Sequence, residues 1–151
     1  MELELEIYFT EQDAFNDIDA IKKAGEVLVT HNAVKTDFIK ACVDREKLFP
    51  TGLSLPNGST IAMPHSNSEN VLFNSISIVR TKTPVSFGKM EDPDEKISCN
   101  LIFNMALSSG KIHVRMLKKL ISLFQQKEFI DNCLTLDQAS VPQYVLKKLN
   151  E

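Results

Sequence analysis

His65 follows a short apolar run that ends in proline, Ile61-Ala62-Met63-Pro64. Pro64 biases Met63 towards extended geometry and cannot donate a ladder hydrogen bond. A strand is therefore expected to stop there, with an imidazole just beyond its end. Imidazole titrates near neutrality, so a neutral ring nitrogen with a free lone pair is available, and histidine is among the side chains that form covalent intermediates. On His65 alone two readings stay open: a turn histidine satisfied by water, or a nucleophile or ligand. His113 belongs to the series 113, 116, 117, 120, 121, 124, which has helical spacing and turns the imidazole inward in the first turn of a predicted helix. It is either a core-edge histidine with a backbone partner or a site group at a helix N-terminus, where α/β folds collect ligands. Arg45 lies three residues beyond Cys42, on the shoulder of an apolar stripe. Its stem could cover apolar surface, or its guanidinium fork could be aimed at a phosphate or carboxylate. His31 ends a predicted helix and suits contact with the free carbonyls of that terminus.

These side chains need a scaffold, and the hydrophobic periodicity outlines one. Leu3, Leu5 and Ile7 alternate with Glu2, Glu4 and Glu6, the period of a half-exposed edge strand. Ala14, Ile18, Ile21, Gly25 and Leu28 predict a helix over 11–30, and Phe38, Ile39, Cys42 and Val43 a second from Lys35 or Thr36 to Leu48, ended by Pro50. Pro56-Asn57-Gly58 signals a turn before the strand that leads to His65. Val71–Arg80 reads as a strand with alternating serines, residues 83–88 as a short extended piece, 90–96 as a polar loop, and Ile97–Leu107 as a central strand. Ser108 or Ser109 could cap a helix over 111–126 whose stripe is Met116, Leu117, Leu120, Ile121 and Phe124. A short helix over 128–134 and a last one from Val141-Pro142 complete the chain. Helix, helix, strand, strand, strand, helix predicts a mixed α/β sheet.

Bulk composition narrows the function classes. The chain has 151 residues, 43% hydrophobic and 25% charged, which suits one domain over 1–151 with a proper core. A net charge of −3, with Lys and Arg spread among Asp and Glu, gives no basic footprint for nucleic acid. No apolar run approaches a membrane span, and the acidic, alternating start is unlike a secretory signal. Cys42, Cys99 and Cys133 are odd in number, far apart and set in apolar contexts. A disulfide framework or metal site is not expected, and a reducing cytoplasm fits. No GxxxxGK[ST] occurs, so a nucleotide is not the expected phosphate source.

Arg45-Glu46-Lys47, then Pro50-Thr51-Gly52-Leu53, then Ile61-Ala62-Met63-Pro64-His65 resemble the signature of the enzyme IIA domains of the sugar phosphotransferase system, fructose/mannitol superfamily. Phe49-Pro50-Thr51-Gly52 is most similar to the galactitol-type branch. The likeness covers essentially the whole chain, although the interval between Arg45 and His65 is a few residues longer than in the mannitol type. It implies a three-layer domain, a mixed sheet with helices on both faces. It implies that His65 accepts a phosphoryl group from HPr and passes it to a cysteine of enzyme IIB, with the membrane IIC reached through IIB. Arg45 would be the supporting arginine and His113 the second active-site histidine, with no cofactor and no metal. Thr51, Ser66 and Asn67 could donate hydrogen bonds to the phosphoryl group. Phe49, Met63 and Met90 would supply apolar docking contacts. A regulatory phosphoprotein of the same fold, acting by protein binding, is the alternative. A metal-dependent or cysteine hydrolase is disfavoured, because the three histidines lie more than thirty residues apart and the cysteines suit packing.

Overall fold

The computed structural model describes residues 4–108 and 110–151. Leu3, in the expected first strand, and Ser109, an expected helix cap, lie outside them. The architecture is one five-stranded mixed sheet covered by helices on both faces. The strands are β1 (Glu6–Glu11), β2 (Gly52–Ser54), β3 (Thr60–Ala62), β4 (Ser75–Gly88) and β5 (Lys96–Ala106), in spatial order β1-β4-β5-β3-β2. The β1/β4 and β3/β5 pairs are parallel, and the β4/β5 and β2/β3 pairs antiparallel.

β1 is an edge strand, as the alternation suggests, but it begins at Glu6 because its neighbour β4 begins at Ser75. The first helix, α1 (Asp17–Thr30), starts later than the periodicity proposes. Asn16 caps it: its side chain accepts the Asp19 N–H, while Asp19 accepts the Phe15 N–H at 2.9 Å. Those reciprocal bonds satisfy amides that a longer helix would leave free. α2 (Asp37–Leu48) ends at Phe49, ahead of Pro50. His31 closes α1 as expected, with Nδ1 2.9 Å from the Val27 carbonyl and its ring stacked on Tyr8 at 4.0 Å.

Gly52–Ser54, a stretch to which the sequence pattern assigns no element, forms β2. The Pro56-Asn57-Gly58 turn folds β2 back onto β3, with Gly58 at φ 87°. Gly52 has a packing reason to be glycine: a Cβ there would lie 2.6 Å from the Gly88 carbonyl oxygen and 2.9 Å from Ile97 Cδ1. Gly52→Ala is therefore expected to cost about 1–3 kcal/mol through overpacking against backbone, read as a lower denaturant midpoint with an unchanged slope.

β4 joins two pieces that the sequence separates. The register shifts between Arg80 and Val85, and Pro84 sits inside that irregularity, where no ladder donor is required. Ser75 and Ser77 are buried, since both faces of the sheet are covered. On one face α1 and α2 press Ile21, Leu28, Phe38 and Cys42 against Ala62, Val79 and Ile102. On the other, α3 (Gly110–Phe124), α4 (Lys127–Thr135) and α5 (Val141–Leu149) cover Ile61, Met63, Ile78 and Phe103. In α3, Met116, Leu120 and Phe124 are buried as predicted. Ile121 is 38% exposed, and Leu123 takes an inward place instead. Among the described residues, no helix is long and apolar enough to cross a membrane.

Candidate functional site

The site forms where β3 and β5 end and α3 begins. β3 loses its regular ladder after Ala62, as Pro64 requires, and only an isolated bridge, His65 with Met105, continues along β5. The Pro64 carbonyl accepts two hydrogen bonds, from the Met105 N–H at 3.0 Å and from Asn104 Nδ2 at 3.0 Å. The backbone just before His65 is thus clamped to the central strand. His65 itself is buried, 8% exposed. Its Nδ1 lies 2.6 Å from the Met63 carbonyl oxygen. A carbonyl only accepts, so Nδ1 carries the proton and Nε2 keeps the lone pair.

α3 brings His113 to the same place. The two imidazoles meet edge to face with ring centroids 5.0 Å apart. Arg45, from the last turn of α2, completes the set. The three line one cleft of about 300 Å³ with Ser66, Asn67, Ser68, Leu107 and Gly110. Three residues separated by 20 and 48 positions in sequence are therefore neighbours. Arg45 is exposed, its guanidinium 5.5 Å from the centroid of the Phe49 ring, and it makes no ion pair among the described residues. A larger hollow of about 820 Å³ opens beside β1, but Glu4 and Glu6 line it without any described cationic group. It offers nothing to an anion.

Burial, then the Arg45 charge, favours the neutral form of both imidazoles. Burial pushes the His65 pKa down to about 4, against the opposing pull of the Met63 carbonyl, and the Arg45 and His113 charges lower it further. His113 is lowered too, by burial and then by Arg45. Between about pH 4 and 6.5 the unfolded chain therefore holds a proton on His65 that the native state lacks. The stability this residue contributes is present above pH 6.5 and is lost as pH falls towards 4. The wild-type advantage over His65→Ala in unfolding free energy is expected to shrink across that window, measured by denaturant titrations at several pH values.

Other expectations fare differently. Ser66 and Asn67 line the cleft. Thr51 does not: it is 2% exposed and spends its hydroxyl proton on Glu46 at 2.8 Å. Met63 is fully buried among the core residues behind the sheet, so it cannot serve as a docking contact. Strand alternation turns its side chain inward while its carbonyl meets His65. Phe49 is 62% exposed beside Arg45. Met90 is 43% exposed, yet its N–H bonds the Gly52 carbonyl at 2.8 Å and it lies outside the cleft lining. The three cysteines are buried thiols with pKa values pushed up to about 12 by burial, which suits packing and not nucleophilic work. Sequence reasoning missed Asn104 and Glu46 as supports. The signal for Glu46 was present, because it extends the inward series of Ile39, Cys42 and Val43 by one turn.

Known proteins resemble this chain over most of its length. The family model described as "Phosphoenolpyruvate-dependent sugar phosphotransferase system, EIIA 2" matches residues 3–149. The galactitol-specific EIIA component of Escherichia coli K12 is 22% identical over 129 residues, 85% of each chain. The mannitol-specific IIA component of Enterococcus faecalis is 31% identical over 134 residues, 87% of this chain and 85% of its own. Among solved structures, the Escherichia coli complex of IIA mannitol with phosphorylated IIB mannitol superposes with a TM-score of 0.73 at 26% identity, covering 95% of this chain and 93% of the other. The chain belongs to the EIIA 2 family of the phosphoenolpyruvate-dependent sugar phosphotransferase system, whose members are phosphotransferases that pass phosphoryl groups through histidine.

Proposed function

We propose that this protein is a phosphocarrier in sugar or sugar-alcohol uptake, with His65 as the phosphoryl acceptor. The observation that carries the reading is the cleft itself: two neutral imidazoles in contact at 5.0 Å, one with Nδ1 committed to a carbonyl, beside an arginine without an ion pair among the described residues. Phosphoryl transfer asks mainly for positioning and for stabilisation of charge spread over three equatorial oxygens. Nε2 of His65 attacks phosphorus as the bond from phosphorus to the donor atom of phosphorylated HPr breaks, the bonding pair leaving with the donor. The Nδ1 proton stays on the ring, held by Met63. In the second half-reaction a cysteine thiolate of enzyme IIB attacks, the P–N bond breaks and its electron pair returns to Nε2. Arg45 suits the equatorial oxygens as a forked donor, and His113 as a neutral N–H donor. Gly110 places the N-terminus of α3 on the same cleft, which adds a favourable dipole for an anion.

A transient partner interface needs an apolar centre with a polar rim. Phe49 beside Arg45 and Val114 beside His113, 62% and 51% exposed, supply apolar contacts at two sides of the cleft. The partners are HPr as donor and enzyme IIB as acceptor, with the membrane IIC reached only through IIB, and the place is the cytoplasm. The substrate branch is the galactitol type, supported by the Phe49-Pro50-Thr51-Gly52 match. Relatives specific for mannitol are 26% and 31% identical against 22% for the galactitol-specific one, so the comparison of IIB acceptors below decides between the two branches.

Incubation with phosphoenolpyruvate, enzyme I and HPr, followed by intact mass and acid treatment, tests the carrier role. The expected result is one added, acid-labile phosphoryl group. Adding galactitol-type and mannitol-type IIB proteins should then discharge it, faster to the galactitol type. No added mass beside a competent control IIA overturns the carrier reading. Charging without discharge to any IIB favours a regulatory phosphoprotein.

A further inference from the structure

Glu46 has no part in the transfer chemistry, yet it is a carboxylate only 4% exposed, next in sequence to Arg45. A buried carboxylate is costly unless its oxygens are hydrogen-bonded. Both of its oxygens are taken up by Thr51. Oε2 accepts the Thr51 backbone N–H at 2.7 Å, and Oε1 accepts the Thr51 hydroxyl at 2.8 Å. Thr51 in turn faces Met63. The Met63 N–H, one residue past the last regular β2/β3 pair, is shared between Thr51 Oγ1 at 3.2 Å and the Thr51 carbonyl at 3.3 Å. The Met63 carbonyl then receives the His65 Nδ1–H at 2.6 Å. The links run without a gap from a carboxylate on α2 to the imidazole beyond β3.

We propose that Glu46 is a positioning residue for His65. Through Thr51 it fixes the Met63 backbone, and that backbone selects the Nδ1–H tautomer that leaves Nε2 free. The claim rests on the reading of His65 as phosphoryl acceptor. No proton runs along the chain, because the Met63 N–H and C=O belong to different peptide groups; what is transmitted is position. The hydroxyl between Glu46 and Met63 both donates and accepts, so the position of Glu46 is passed on to the Met63 N–H. The same anchor ties the last turn of α2 to the start of β2, which sets where Arg45 stands relative to His65. From the other side, Asn104 and Met105 hold the Pro64 carbonyl, so the segment before His65 is gripped at both ends. Burial raises the Glu46 pKa to about 7, and the two Thr51 bonds pull it back down in part.

Four variants separate positioning from simple stability. Thr51→Val leaves Oε1 without its donor and Met63 without the hydroxyl, and Glu46→Leu removes the anchor. Thr51→Ser keeps the hydroxyl. Glu46→Gln keeps one acceptor for the Thr51 N–H and can offer its amide N–H to Oγ1. Two readouts are used: the His65 tautomer by nitrogen-15 NMR of the unphosphorylated protein, and single-turnover transfer from phosphorylated HPr as donor concentration varies. Thr51→Val and Glu46→Leu are expected to lower the Nδ1–H population and to cut the maximal rate about ten-fold, with the half-saturating donor concentration unchanged. Thr51→Ser and Glu46→Gln should stay near wild type in both. A folded Thr51→Val protein with the wild-type tautomer and rate overturns the proposal, and this holds even where Glu46→Leu fails to fold. A shifted tautomer in a protein that never accepts phosphate in wild-type form supports the positioning claim while removing the acceptor reading on which its purpose rests.

Discussion

His65→Ala is expected to take up no phosphoryl group from phosphorylated HPr, against one group per wild-type molecule. The loss should be complete, because no other described residue of the cleft has the fixed tautomer that leaves Nε2 of His65 free. The thiols of Cys42, Cys99 and Cys133 are buried and held protonated. His113 is the one neighbour that could substitute. Its ring centroid lies 5.0 Å from that of His65, but it sits on the opposite wall, on α3, without the Met63 carbonyl that fixes the His65 tautomer. Intact mass reads the result directly, and circular dichroism checks that the variant is folded. An acid-labile phosphoryl group on the His65→Ala protein, mapped to His113, would reverse the two roles.

Arg45→Ala is expected to slow acceptance by about 10²–10³-fold while leaving the final extent of charging close to wild type. Electrostatic stabilisation acts on the charge that develops in the transition state, and Arg45 has no ion pair among the described residues to weaken it. Arg45→Lys should recover only part of the rate, since an ammonium supplies charge without the fork that meets two oxygens at once. His113→Ala is expected to be milder, about 10–10²-fold, because a neutral N–H donor stabilises less than a guanidinium. Rapid-quench measurement of phosphohistidine gives these rates. A total loss in His113→Ala equal to that in His65→Ala would mean that both imidazoles are obligatory.

Much of the site could be read along the chain, and the reasons are local. Pro64 dictates that pairing falters before His65. The glycine and asparagine before β3 dictate a turn. The helical spacing from His113 to Phe124 dictates that this imidazole shares a face with core residues. What remained open after such reasoning was whether Arg45 snorkels or serves an anion, since a helical wheel gives a side chain a direction but no neighbour. The same limit explains the errors. Met63 looked like a surface methionine beside a reactive histidine, yet strand alternation turns it into the core behind the sheet. Thr51 looked like a phosphate donor from its place in the family-like motif, yet its proton belongs to Glu46. β2, Gly52–Ser54, went unread because strand propensity in three residues is negligible until β3 offers a partner. Each error concerns a hydrogen bond or packing contact that no local sequence pattern encodes.

The division between the two kinds of information is physical. Periodicity, proline and glycine act within a few residues, so the sequence by itself determined a mixed α/β scaffold, an imidazole at a strand's end and a second imidazole in the first turn of a helix. Only the tertiary structure decided that β3 and β5 run parallel and side by side, which brings the ends of both strands and the start of α3 to one cleft. It also decided the tautomer of His65, which depends on a carbonyl whose direction follows from how Thr51, Glu46 and Asn104 grip the chain. Those are contacts across 5 to 40 residues, and their geometry exists only once the sheet and its two helical layers have packed.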